Sequence, residues 1–143
     1  MPTYQVSALC GRLSLSDRER IAAAIASVHQ ETTGAVQTFV QVLFEEVEPS
    51  AAYVGGKPAI EDHLFVDATI RAGRSAEATD RLVALLVQAL STAAAIPRCA
   101  IWVYVHELPP RLMVEYGRPL PLPGEESTWL KEAQHDDSAD VVR

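Results

Sequence analysis

The chain predicts an α/β (α+β) fold: two tandem β-α-β units forming a four-stranded sheet with two helices on one face. Three observations carry this. The order strand, helix, strand occurs twice at an offset of about 60 residues, with Tyr4 matching Phe65, Ser16 matching Ser75 and Phe39 matching Ala100. Each helical stretch follows a serine able to cap it. The strand stretches are apolar on successive residues, as strands covered on both faces are.

The elements follow in order. Tyr4–Leu9 reads as the first strand. Pro2 just ahead of it fits, because proline lacks a ladder donor and is tolerated at the start of a strand. Ser16 with Glu19 three residues on has the form of a capping box. Ile21, Ile25 and Val28 then fall on one helical stripe, which Thr33-Gly34 closes. Residues 39–49, FVQVLFEEVEP, give the second strand, and YVGGKP a loop. The second unit repeats this with a strand over 63–70, a helix capped by Ser75 and running to about Ala94, and a strand over 100–110. The strand exits EVEP and ELPP correspond. In such a unit the two strands run parallel. The expected organisation is a single domain over 1–130, with units at 2–49 and 62–110, an extended arm over 111–130 and a disordered tail over 131–143. Two helices cover only one face of a four-stranded sheet, so the other calls for a second copy of the chain.

Totals narrow the function classes. A chain of 143 residues suffices for one domain that buries roughly 70% of its unfolded surface. The net charge is -7, and only Lys57 and Lys131 are lysines. With no basic block, neither nucleic acid nor an anionic membrane is expected as a partner. No secretory signal opens the chain, and no apolar run reaches the ~20 residues that span a bilayer. Cys10 and Cys99 read as buried thiols of a reduced, cytoplasmic protein. His63, His106 and His135 lack metal-ligand spacing, so no metal or other cofactor is expected.

A small group of residues carries possible chemistry. Removal of Met1 before a small second residue would leave Pro2 with a free secondary amine. Arg71 and Arg74, three residues apart at the mouth of the second helix, suit a carboxylate. His29 borders the first helix's apolar stripe, Tyr104 lies within the fourth strand, and Glu115 follows the second unit. Asp67 and Thr69 alternate onto the strand face of Arg71, where they could support it. Each residue alone also has an ordinary structural reading.

Taken together, the stretches PTY, AIASVHQETTG, GRS, IWVY and MVEYGR give the order Pro2, His29, Arg71, Arg74, Tyr104, Glu115. In this the chain resembles the tautomerase superfamily, and within it the cis-3-chloroacrylic acid dehalogenase branch, from PTY through Trp129-Leu130. The loop after His29 departs from that pattern at Ala35, Gln37 and Phe39. The resemblance implies a cofactor-independent homotrimer acting on small unsaturated carboxylic acids. Arg71 and Arg74, helped by His29, would hold the carboxylate. Glu115, oriented with Tyr104, would activate water, and Pro2 as an ammonium would protonate the neighbouring carbon. The product from a cis-3-haloacrylate would be malonate semialdehyde. The arginines favour a free amine at Pro2 and Glu115 favours the ammonium. Alternative readings are a tautomerase of enols and 2-oxo acids with Pro2 as base, and a non-catalytic oligomeric module retaining a remnant site.

Overall fold

The structure, a computed structural model, describes residues 2–132. Its central sheet joins β1 (Thr3–Leu9), β2 (Gln41–Val47), β5 (Leu64–Arg71) and β6 (Ile101–Leu108) in the order β2-β1-β5-β6. Within each unit the strands are parallel, β1 with β2 and β5 with β6, and the units meet through an antiparallel β1–β5 pair. The helices α1 (Leu15–Thr33) and α2 (Ala76–Ala94) pack side by side on one face.

Alternation along the central strands builds the core. Tyr4, Val6 and Ala8 from β1 and Leu64, Val66, Ala68 and Ile70 from β5 point to the helices. Ile21, Ile25 and Val28 meet them from α1, and Leu82, Leu86 and Leu90 from α2, at the three- and four-residue spacings that make one helical face. The opposite face carries Leu43, Trp102 and Tyr104 at 42–52% exposure among polar neighbours. It is the face expected to want a second copy.

Several sequence expectations need correction. The α1 cap is Ser14, not Ser16. The Ser14 hydroxyl accepts from the Asp17 N–H, and the Asp17 carboxylate accepts from the Ser14 N–H at 2.8 Å. The first units of the repeat are also out of phase by one residue. Parallel register pairs Thr3 with Gln41 but Phe65 with Trp102, so the counterpart of buried Tyr4 is buried Val66, not Phe65. The repeat runs further than the strands. Each unit exits through a 3₁₀ turn (Pro49–Ala51, Pro110–Leu112) into a two-stranded hairpin, β3 (Tyr53–Val54) with β4 (Lys57–Pro58) and β7 (Val114–Glu115) with β8 (Arg118–Pro119). The arm is not extended to its end, since residues 126–132 form a third helix, α3. Lys131 and Glu132, expected in the tail, belong to it, and the rest of the tail lies outside the described residues. Both cysteines are exposed, because they sit in turns beyond the strand and helix ends, and the Cys10 thiol donates to Glu48 at 3.2 Å.

Candidate functional site

Topology gathers the site at one end of the sheet. Antiparallel β1 and β5 pair Thr3 with Thr69, which brings the residue before β1 next to the last turn of β5. Helix α1 returns from the far end of β1 and delivers its last turns there, and α2 begins there. The exit of β6 leads to the second hairpin at the same end.

Pro2 is buried, and its carbonyl accepts from the Gln41 N–H at 3.0 Å. It forms a wall shared by two cavities. The smaller, about 90 Å³, is lined by Pro2, His29, Arg71 and Arg74 with Ala35, Val36, Phe39 and, unexpectedly, Glu126. The larger groove, about 670 Å³, runs from Pro2 and Phe39 to Leu108, Glu115 and Tyr116. Four of the expected residues thus meet in one pocket. Glu115 stands on the other side of Pro2.

Tyr104 is not brought to either cavity in the single chain. It lies on the uncovered face, edge-on to Phe65 with ring centroids 5.2 Å apart, in a third depression lined with Asp67 and Trp102. Within one chain Tyr104 and Glu115 therefore line different depressions. Asp67 does not support Arg71 either, since it pairs with His106 at 2.8 Å. Thr69 lies between Thr3 and His106 in the sheet register.

His29 sits in the core rather than at its border, fully buried, with Nδ1 at 2.7 Å from the Tyr4 hydroxyl. Burial, reinforced by the charges of Arg74 and Arg71, pushes its pKa down to about 3, so the imidazole is neutral. Burial also holds the Tyr4 hydroxyl protonated against the pull of Arg74. His29 Nε2 has no hydrogen-bond partner among the described residues. If the Tyr4 hydroxyl donates to Nδ1, the proton of the neutral ring resides on Nε2, making it a donor in a residue that lines the pocket.

Arg71 is 6% exposed, at the last position of β5. Its Nη1 donates to the Pro121 carbonyl at 2.7 Å, and its Nη2 forms an ion pair with Glu126 at the start of α3. Arg74 in turn donates to the Arg71 carbonyl at 2.8 Å. Burial and the neighbouring Arg71 lower the Arg74 pKa, with Glu126 opposing; so basic a group stays charged. Gly73 lets the arm approach this turn. Its φ of 115° favours glycine, and a Cβ there would come within 3.1 Å of Pro123. The sequence reading missed Tyr4, Pro121 and Glu126. Glu126 follows a proline-rich run with no periodicity, so only its charge stood out.

The fold, two β-α-β units joined in one sheet, is that of a tautomerase-superfamily protein. The family model described as "Putative oxalocrotonate tautomerase enzyme" matches residues 1–134, and the chain belongs to that family, with a cis-3-chloroacrylic acid dehalogenase-like character within the superfamily. The crystal structure of N1, a member of the cis-3-chloroacrylic acid dehalogenase family, superposes with a TM-score of 0.88 at 30% identity, covering 96% of this chain and 99% of that one. Native Ps01740 gives 0.74 at 28% identity, covering 79% and 99%. Native fused 4-OT gives 0.76 at 21% identity, covering 82% and 94%, a likeness of fold. No curated protein matches the sequence.

Proposed function

We propose that the chain, once Met1 is removed, is a cofactor-independent enzyme that adds water to a small unsaturated monocarboxylic acid such as a cis-3-haloacrylate or propiolate. The observation that supports it is the shared wall: Pro2 separates a guanidinium pocket from a groove containing Glu115. The small pocket is several-fold below the roughly 300–1,000 Å³ of sites for larger ligands, which favours a substrate of few atoms.

In this reading the acid's carboxylate lies against Arg74, Arg71 and the Nε2–H of His29. Pairing with these groups draws electron density from the conjugated carbon. Water attacks that carbon while Glu115 takes its proton, and the Pro2 ammonium delivers a proton to the carbon next to the carboxylate. From a cis-3-haloacrylate the adduct loses halide and a proton to give malonate semialdehyde. From propiolate the enol formed ketonises to the same product. Tyr104 stands on the uncovered face, so it can enter such a site only from a second copy seated there. A homotrimer fits this reading, and a solved structure of the same fold, F6 fused 4-OT, is described as an asymmetric trimer. The free thiols fit a cytoplasmic setting.

The test is incubation with cis-3-chloroacrylate, propiolate and phenylenolpyruvate, on protein whose intact mass establishes loss of Met1. Halide release and hydration support the reading. Ketonisation of the enol alone replaces it with Pro2 as a general base, and silence on all three substrates favours a non-catalytic module.

A further inference from the structure

The acid held on Arg71 by the chain's own arm bears on which ligands the pocket accepts. Arg71 and Arg74 contribute two positive charges to the lining, to which the proposed function adds the Pro2 ammonium; His29 is neutral, and Glu126 returns one negative charge through its ion pair with Arg71. We infer that Glu126 is a specificity-determining residue that sets the pocket for one carboxylate and against two. The inference rests on the reading of this pocket as a carboxylate site.

The arrangement is built rather than incidental. The Glu126 carboxylate also accepts from the Gly124 N–H at 2.9 Å, and the arm is fastened on both sides of it. Trp129 Nε1 donates to the Pro119 carbonyl at 2.8 Å, and the Leu120 N–H to the Met113 carbonyl at 2.9 Å. Partial burial alone would raise the Glu126 carboxyl, but the hydrogen bond from Arg71, backbone N–H groups and the Arg71 charge hold it below the ordinary carboxylate range. It is an anion at neutral pH. Two donors of Arg71 are taken by Glu126 and Pro121, while Arg71 Nε and His29 Nε2 make no hydrogen bond among the described residues. Glu107, outside the lining, favours the charged form of Arg74. Within the pocket a second carboxylate on the ligand would find Glu126 or the apolar Ala35, Val36 and Phe39, and in the groove beyond Pro2 the lining holds the acid Glu115 and no Lys, Arg or His.

The test compares acrylate with its dicarboxylate counterparts fumarate and maleate, by calorimetric titration of the full chain lacking Met1 at fixed ionic strength. Glu126→Gln keeps an oxygen acceptor for Arg71 but removes the charge; Glu126→Asp keeps the charge. The wild type is expected to bind acrylate more tightly than either diacid. A ligand of two charges gains twice the energy of a ligand of one, so Glu126→Gln is expected to shift the acrylate-to-diacid affinity ratio about tenfold towards the diacid, while Glu126→Asp leaves it unchanged. A Glu126→Gln variant that alters all three affinities by one common factor overturns the inference and leaves the water-addition reading standing. A wild type that binds no acrylate, with Arg74→Gln no different, overturns both.

Discussion

The two units share a scaffold and differ where the chemistry lies. Counted from the helix starts, fully buried His29 of α1 corresponds to fully buried Leu90 of α2, and its partner Tyr4 corresponds to Val66. A hydrogen-bonded polar pair thus occupies one half where an aliphatic pair occupies the other. In the opposite sense, Leu13, buried just ahead of the first cap, corresponds to Arg74, and Val54 of the first hairpin corresponds to Glu115 of the second. At the buried positions Leu90, Val66 and Leu13 the aliphatic version is the one the core requires, so each polar counterpart marks a position where packing is not the whole reason for the residue.

The comparison can be broken most strongly at its single amine. Under the proposed function, Pro2→Ala, which leaves a primary amine without the ring that fixes it, is expected to lower turnover by up to about 10²- to 10⁴-fold, the range for a proton donor that is no longer positioned, while leaving the midpoint of urea unfolding nearly unchanged. Next comes pH. A buried histidine held near 3 in the folded chain and near 6.5 when unfolded means the unfolded state binds the extra proton between those values. Stability is then fully present above about pH 6.5 and falls as pH drops towards 3, by up to about 1.4 kcal/mol per unit. Urea melts across that window are expected to show the slope in the wild type and lose it in His29→Leu, which copies the second unit.

The polar pair itself gives a smaller effect. Tyr4→Phe leaves a buried imidazole nitrogen unpaired and is expected to cost about 1–3 kcal/mol. Tyr4→Phe with His29→Leu removes both partners and is expected to cost less than Tyr4→Phe alone, a non-additivity that a double-mutant cycle measures. Smallest is the cap. Ser14→Ala is expected to lower stability by about 1 kcal/mol and Ser16→Ala by clearly less, read from the shift in thermal midpoint.

How much of this the sequence revealed follows from the strength of each local signal. Long strands and helices carry periodicity, and the parallel pairs β1–β2 and β5–β6 were legible from the repeat. The cap was displaced because Ser14 and Ser16 each precede an acid by three residues, Asp17 and Glu19, and only packing selects between the two frames. The hairpins were read as loop and arm because two-residue strands have no period to detect. In the candidate site, Pro2, His29, Arg71 and Arg74 were expected together and do meet in one pocket. Alternation along β6 turns Tyr104 to the face away from the helices, so its place beside the other residues depends on a second copy, which a residue order does not specify. Glu126 was missed because its partner is 55 residues away and reaches it only through the fold of the arm.

The duplication carries a cost in termini. Two separate units would each begin with their own amine; joined in one polypeptide, the second start becomes an ordinary peptide link, and the position in β5 that answers to Pro2 is Leu64, sealed in the core. Fusion therefore halves the number of chain starts per sheet. It also leaves the second half to carry Arg71 and Arg74, and under the proposed function any tag or leader left on the front of the chain would silence the remaining end.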